Sequence, residues 1–491
     1  MNARKLLELV LDPGSYESWD TPPATVAEPG YAAQLAAAAQ RSGVDEAVLT
    51  GAGTIRGRRV AVVVCEFGFL AGSIGVAAAE RLVSAIERAT AERLPLLAAP
   101  TSGGTRMQEG TVAFLQMVKI SAAITVHKAA GLPYLVYLRN PTTGGVFASW
   151  GSLGHVTVAE PGALIGFLGP RVYQQLYGQE FPRGVQLAEN LFRNGIVDAV
   201  LPADAIAEIA DRALRVLCAG GLRLAPPAPP ADEPVEDVPA WESITRSRDR
   251  ERPGVRRLLR HAATDVVPLN GTGEGESDPG LLLALARFGD AACVLLGQDR
   301  RGQNGGPLGP GALREARRGM RLAAELGLPL LTVIDTPGVA LSRQAEEGGL
   351  AGEIARCLSE LVTLTAPTLC LLLGEGTGGG ALALLPADRV IAAQHAWLSP
   401  LPPEGSSVVV HRTTSKAPEM AAAQGVRSAE LRTAGIVDRV VPERPDAVAE
   451  PEEFCRRVGH AVAYELALLS GQDPAGRYAV RLARYRRIGG P

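Results

Sequence analysis

Two pairs of glycine turns carry the chemistry that can be read from this chain. They are Ser102-Gly-Gly-Thr-Arg106 with Thr143-Gly-Gly-Val146, and Asp335-Thr-Pro-Gly338 with Gly378-Gly-Gly-Ala381. Each stands just after an apolar run and ahead of a helix-like stretch. Glycine permits unusual φ values and close backbone approach to a ligand, and a following helix points free N–H groups and its positive dipole end at it. Paired backbone donors at strand ends make an oxyanion hole, suited to thioester enolates and tetrahedral oxyanions. A single Gly-Gly is explained by a tight turn alone, whereas recurrence at matching positions in both halves points to function.

Other motifs fall short. Gly374-Glu-Gly376-Thr-Gly-Gly379 fits GxGxxG after a strand and before a helix, but lacks the acid about 20 residues on that would hold a ribose. There is no GxxxxGK[ST], and Ser73 in Ala71-Gly-Ser-Ile-Gly75 is one glycine short of a nucleophile elbow. Ser152 and His155, three apart on a turn entering a strand, need not face one another. No HExxH or Cys/His cluster is present, so no metal is expected in this chain. The run from Arg246 to Arg260 reads as a solvated helix face that could meet phosphates.

The elements that position the turns occur twice. Leu94-Pro-Leu-Leu opens an apolar run toward Ser102-Gly-Gly, and Leu328-Pro-Leu-Leu does the same toward Asp335-Thr-Pro-Gly. Gly195-Ile-Val-Asp-Ala-Val-Leu-Pro recurs as Gly435-Ile-Val-Asp-Arg-Val-Val-Pro. Such landmarks in one order indicate duplication. Within each half, short Val/Leu/Ile runs alternate with Ala-rich amphipathic stretches such as Ile74 to Arg93, the pattern of βαβ units with largely parallel, buried strands. Residues 225–240, rich in proline and acids, read as a stiff, solvated connector between domains 1–224 and 241–491.

Composition narrows the function classes. At 491 residues, 46% hydrophobic and 21% charged, the chain is globular rather than disordered or fibrous. A net charge of -3 gives no basic field for nucleic acid. Six scattered cysteines without a CxxC pair suggest reduced, buried thiols and a cytoplasmic protein. The N-terminus reads as a short helix before Pro13-Gly14 rather than a signal peptide, and no membrane span or membrane partner is expected.

At its motifs the sequence resembles the carboxyltransferase component of acetyl-CoA carboxylase, β-type subunit first and α-type second. The β-like segments are Phe69-Leu-Ala-Gly-Ser-Ile-Gly75, Ser102-Gly-Gly-Thr-Arg-Met-Gln-Glu109, Pro141-Thr-Thr-Gly-Gly-Val-Phe-Ala-Ser149 and Ala159-Glu-Pro-Gly-Ala-Leu-Ile-Gly-Phe-Leu-Gly-Pro-Arg171. The α-like segments are Arg252-Pro253, Ile334-Asp-Thr-Pro-Gly338, Ala345 to Arg356, Gly374-Glu-Gly-Thr-Gly-Gly-Gly-Ala-Leu382 and Pro403-Glu-Gly405. The family's N-terminal four-cysteine zinc ribbon is missing, Leu70-Ala71-Gly72 replaces its Met-Gly-Gly, and Pro402 replaces its Ser.

The resemblance implies an α/β fold of tandem crotonase-like (ClpP/crotonase) ββα-spiral domains in a homodimer or larger ring, with active sites formed between an N-half and a C-half. It implies transfer of a carboxyl group from carboxybiotin, held on a biotin carboxyl carrier protein and recharged by a biotin carboxylase, to an acyl-CoA, by default acetyl-CoA to malonyl-CoA. Carboxybiotin loses CO2, its ureido nitrogen removes the thioester α-proton, and two oxyanion holes replace a side-chain base. Gly144 and Gly145, with Gly103 and Gly104 as helpers, are assigned to the thioester oxygen, and Gly379 and Gly380 to the ureido oxygen, the pairs being interchangeable. Gly72, Gly338 and Gly378 join the substrate-binding set, and Arg106, Arg171, Arg301 and Lys416 are candidates for the CoA phosphates. Alternatives are the carboxyltransferase of a propionyl-CoA carboxylase or malonate decarboxylase, a crotonase-type hydratase or isomerase, and a non-catalytic scaffold for carrier proteins.

Overall fold

A computed structural model of the chain describes residues 1–23, 28–231 and 233–488, with the side chains at 171, 304 and 305 outside the description. Backbone contacts separate two compact units, Met1–Cys218 with Gly273–Gly275, and Ala219–Thr272 with Glu276–Pro491.

In the first unit Val48–Ile55 and Arg58–Cys65, both apolar and buried almost throughout, pair antiparallel. The two-residue loop Arg56-Gly57 has positive φ at both positions (48° and 81°), a twist that matches the hairpin. From Arg58–Cys65 onward the sheet is parallel, through Leu96–Ala99, Tyr134–Leu138, Val156–Ala159 and Ala199–Val200. Parallel neighbours need crossovers, and the helices Val76–Ala91 and Gly110–Ala129 supply the first two. The first buries Ala78, Ala79, Leu82, Val83, Ile86 and Ala89 at helical spacing, each large aliphatic side chain contributing about 1.5–3 kcal/mol. Helix Gly110–Ala129 buries Met117, Ile120 and Ile124 but exposes Val112, Phe114, Leu115 and Val118. Among the described residues, 107–129 is the stretch long and apolar enough to cross a membrane, with a mean hydropathy of 1.2.

The second unit repeats this plan. Leu281–Phe288 and Ala291–Gln298 form the hairpin, and Leu330–Thr336, Thr368–Thr377, Arg389–Ala393 and Arg439–Val441 continue in parallel. Both units are the expected crotonase-like ββα spirals. The duplication extends to detail. Ala98 pairs with Val136 but Ser102 with Thr142, and Ile334 pairs with Leu372 but Thr336 with Gly376, so both ladders slip by two residues just before the second glycine turn. The repeated Gly-Ile-Val-Asp also has a physical reason: Thr157 N donates to Asp198 Oδ2 at 2.8 Å, and Val390 N to Asp438 Oδ2 at 2.7 Å. Each carboxylate satisfies the amide of a buried strand that would otherwise lack an acceptor.

The N-terminal helix is Ala3–Val10, ending before Pro13-Gly14 as expected. All six cysteines are free thiols, five buried and Cys218 half-buried. The Pro- and acid-rich stretch 225–240 does not run free as a connector but lies within the second unit. His460 bonds the Ala228 carbonyl at 2.9 Å, and Arg427 pairs with Asp237 at 2.7 Å and donates to the Val238 carbonyl. Backbone carbonyls, invisible to a composition argument, anchor it.

Helix Pro310–Leu326 buries, along with Leu313, Ala316 and Met320, the carboxyl of Glu315, whose Oε2 has no hydrogen-bond partner among the described residues. Burial pushes this carboxyl up to about 8, against the opposing pull of Arg318. It stays protonated in the fold where the unfolded chain ionises, so stability falls as pH rises from the ordinary 4.5 toward about 8. Glu315→Gln is expected to flatten that slope in urea unfolding between about pH 5 and pH 8; an unchanged slope would contradict the assignment.

Candidate functional site

The two turns of each unit abut. A Cβ added to Gly144 would lie 3.3 Å from Gly104 Cα, and one added to Gly380 would lie 3.0 Å from Val339 Cγ1 and 3.6 Å from the Gly338 carbonyl carbon. The first turn of each pair is closed by its own hydroxyl. Gly104 N donates to Ser102 Oγ at 2.9 Å, and Gly338 N to Thr336 Oγ1 at 3.1 Å. Only the Gly378 turn opens a helix directly, Gly378–Leu382. The Thr143 turn instead continues through further turn residues to a short 3-10 helix at Trp150–Ser152.

Hydrogen bonds within the fold already occupy part of the donor set. Gly103 N is bonded to the Ala71 carbonyl at 2.9 Å, and Gly144 N to the carbonyls of Gly166 and Phe167 at 3.2 and 3.0 Å. With Gly104 and Gly338 bonded to Ser102 and Thr336, none of these four N–H groups remains for a ligand. Gly145 N and Val146 N have no acceptor among the described residues. In the second unit Gly378, Gly379 and Gly380 are the first residues of their helix, with no intrahelical acceptor and no side-chain cap from Thr377. Placed 234 residues apart, Gly144 and Gly378 share the left-handed bend, φ 65° and 62°. Gly145 then matches Gly379, and Val146 matches Gly380. Sequence reasoning missed Val146 because it searched for glycines, whereas every residue but proline carries a backbone N–H; the 234-residue offset was the signal that could have found it.

Side chains hold the second pair in place. Gln298, fully buried at the end of its strand, donates from Nε2 to the Gly380 carbonyl at 2.7 Å and accepts from Asp335 N at 3.1 Å. Gln303 donates to the Asp335 carbonyl at 3.1 Å and accepts from Thr336 Oγ1 at 2.6 Å. Neither residue stood out by type or spacing. Arg248 bridges Glu375, on the strand entering the turn, at 3.1 Å and Glu404 at 2.6 Å. Burial raises the Glu375 carboxyl from its ordinary value, and the Arg248 guanidinium opposes that rise.

The remaining candidates divide. Gly72 has φ 62°, and a Cβ there would sit 2.2 Å from the Thr101 carbonyl oxygen, so packing of its loop on the strand end accounts for the glycine. Arg106 is a correction: it is 1% exposed, paired in both Nη atoms with Glu46 and bonded to the Ser73 carbonyl at 2.7 Å. The guanidinium is saturated inside the fold and unavailable to phosphates. Lys416 is exposed and pairs with Glu419. Arg301 is exposed beside a cavity. Arg171 lies in the helix Pro170–Tyr177, its side chain outside the described residues. Ser152 donates to the Phe147 carbonyl and His155 accepts from Tyr134 N, so the two do not form a hydrolase pair. Among the described residues no group of three or more His, Cys, Asp or Glu is placed to hold a metal ion.

Removing one partner of a buried ion pair leaves an uncompensated charge. Glu46→Gln is therefore expected to cost about 3–5 kcal/mol in urea unfolding; a loss below about 1 kcal/mol, the range of an exposed pair, would contradict the burial of Arg106.

The carboxyl transferase domain family matches residues 2–470. The chain is 63% identical over 489 residues, 99% of itself and 98% of the relative, to a probable biotin-dependent acyl-coenzyme A carboxylase beta3 subunit of Mycobacterium tuberculosis. It is 37% identical over 517 residues, 100% of itself and 91% of the relative, to the acetyl-coenzyme A carboxylase carboxyl transferase subunits beta/alpha of Salinispora arenicola. A transcarboxylase 12S crystal structure, a hexamer assembly with methylmalonyl-coenzyme A bound, superposes with a TM-score of 0.75 at 21% identity, covering 96% of this chain and 90% of that one; at that identity the likeness concerns the fold. With its spiral present twice, each copy carrying amides without an acceptor among the described residues, and a family match over nearly its whole length, the chain belongs to the carboxyl transferase domain family and is a carboxyltransferase.

Proposed function

We propose that this carboxyltransferase moves a carboxyl group from carboxybiotin, carried on a separate biotin carboxyl carrier protein, to the α-carbon of a short acyl-CoA. The observation that carries the reading is the duplicated pair of amides without acceptors among the described residues, Gly145 with Val146 and Gly379 with Gly380. Carboxybiotin supplies the carboxyl group and, once that has left, the nitrogen base. The chain then has to stabilise two developing oxyanions. Gly145 and Val146 hold the thioester oxygen and Gly379 and Gly380 the ureido oxygen, the roles being interchangeable between the equivalent turns. Losing one aligned donor of this kind typically costs about 10²- to 10³-fold in rate.

The residues fit such ligands. Side-chain-free backbone lines both pairs at Gly145 and at Gly379, and a Cβ at Gly379 would already lie 2.7 Å from Ile354 Cδ1. Acetyl-CoA, giving malonyl-CoA, is the default acceptor, supported by the Salinispora arenicola relative. Propionyl-CoA is the second reading, favoured by the mycobacterial relative, whose name gives only acyl-coenzyme A. The two halves serve as the β-type and α-type domains of a cytoplasmic homodimer or larger ring working with a biotin carboxylase. Exposed apolar side chains on Gly110–Ala129 and at Val408, Val409 and Val410 support oligomerisation.

Mixing the purified chain with free biotin and either malonyl-CoA or methylmalonyl-CoA measures the reverse reaction. Biotin-dependent loss of the acyl carboxyl group is expected, with the faster ester naming the acceptor, and Gly379→Trp is expected to lower the rate about 10²-fold or more. Acyl-CoA binding without turnover in the unaltered chain, or full activity in the variant, would contradict the reading.

A further inference from the structure

The second unit also has a cavity of about 580 Å³ at the other end of its strands. Pro329 and Pro367, which line it, immediately precede the strands Leu330–Thr336 and Thr368–Thr377, whose far ends carry the glycine turns. At about 3.3 Å per residue, a strand of 7 residues puts roughly 20 Å between the two places.

Arg477, on the helix Pro474–Arg487, lines this cavity and is 6% exposed. A buried guanidinium is normally paired, but the carboxylate beside it is already occupied. Asp388 accepts from Arg481 at 2.8 Å on each oxygen, and from Thr368 N and Oγ1 at 2.8 and 3.0 Å. Those bonds use the roughly four acceptor positions of a carboxylate. Arg477 Nε, 3.3 Å from Asp388 Oδ2, makes no hydrogen bond among the described residues, and Nη2 donates to the Thr365 carbonyl at 2.6 Å. Burial pulls this guanidinium down from its ordinary value, against the opposing pull of Asp388 and Asp473. Two buried guanidiniums thus share the Asp388 carboxylate, which leaves a positive charge beside the cavity. The first unit joins the equivalent strand ends without a carboxylate, Tyr134 N donating to His155 Nδ1 at 2.9 Å where Thr368 N donates to Asp388.

More positive charge lines the same cavity. The segment 219–224 is pinned on both sides of Arg223, by Gly221 N on the Gly327 carbonyl at 3.2 Å and by Leu224 N on Ser470 Oγ at 3.1 Å. Arg223 itself is exposed and has no side-chain partner among the described residues. Arg287, paired with Asp265 at 3.5 Å, is a third arginine in the lining, against the acid Asp290. Leu222, Leu224 and Ala366 make other parts of the wall apolar.

We propose that this cavity is a binding site for a small anion with an apolar body, its acid group seated on Arg223 and Arg477 and its body on Leu222, Leu224 and Ala366. The volume falls within the usual ligand range of about 300–1,000 Å³. Guanidinium forks match carboxylate and phosphate oxygens alike, so an alkyl carboxylate and an alkyl phosphate share the required chemistry. The site stands apart from the carboxyltransferase reading, because the glycine turns lie at the opposite ends of the strands.

Titration calorimetry on the full chain with octanoate, octyl phosphate and neutral octanol reads the site without turnover, so that its failure is separable from failure of the transferase assignment. Saturable binding of one or both anions is expected, about tenfold or more tighter than octanol, with the tighter anion naming the acid group. Arg223→Ala is expected to weaken that binding about tenfold. The side chain it removes has no partner among the described residues, so the variant's thermal midpoint without ligand is expected to match that of the unaltered chain. Saturating malonyl-CoA is expected to leave anion binding intact. No saturable binding of either anion at millimolar concentration, octanol binding as tightly, undiminished binding by the variant, or displacement by malonyl-CoA would overturn the proposal.

Discussion

A backbone N–H group without an acceptor is costly inside a protein, about 1–3 kcal/mol where water cannot reach it. Among its described residues this fold keeps such groups in duplicate, at Gly145 and Val146 and at Gly379 and Gly380. Several features around them hold that arrangement. The ladders slip by two residues just ahead of each turn, the left-handed glycines Gly144 and Gly378 bend the chain, and hydroxyls at Ser102 and Thr336 close the neighbouring turns. A donor fixed in this way needs no reorganisation when charge develops opposite it, which is why preorganised amides are effective in catalysis.

The two units solve the same problem with different chemistry. In the first, a buried ion pair between Arg106 and Glu46 lies behind the turn, stacked over Phe69. In the second, the amides of Gln298 and Gln303 fix the peptide planes directly, and the ion pairs of Arg300 and Arg248 line the rim. The equivalents of Gln298 and Arg300 in the first unit are Cys65 and Phe67. One backbone frame has thus diverged toward a less charged and a more charged mouth.

Much of this was legible in the sequence because it is written in short-range patterns. Strand runs, the repeated Leu-Pro-Leu-Leu and Gly-Ile-Val-Asp segments, and the glycine turns gave the ββα spirals and located the turns to within a residue. What was not legible depended on hydrogen-bond partners distant in the chain. Gly144 is engaged by Gly166 and Phe167, Arg106 by Glu46 sixty residues earlier, and the Pro-rich stretch by His460 and Arg427. Residue type cannot show whether a donor is already spent, so Gly103, Gly104 and Gly144 looked available and Val146, though part of the turn, drew no assignment.

We propose that N–H groups, rather than glycine as such, bind the oxyanions. Replacing the Val146 or the Gly380 peptide N–H by an ester oxygen through semisynthesis removes one donor and leaves every side chain in place. Biotin-dependent turnover is predicted to fall about 10²- to 10³-fold at either position, with the fold retained; turnover within a factor of about two of the all-amide protein would contradict the account.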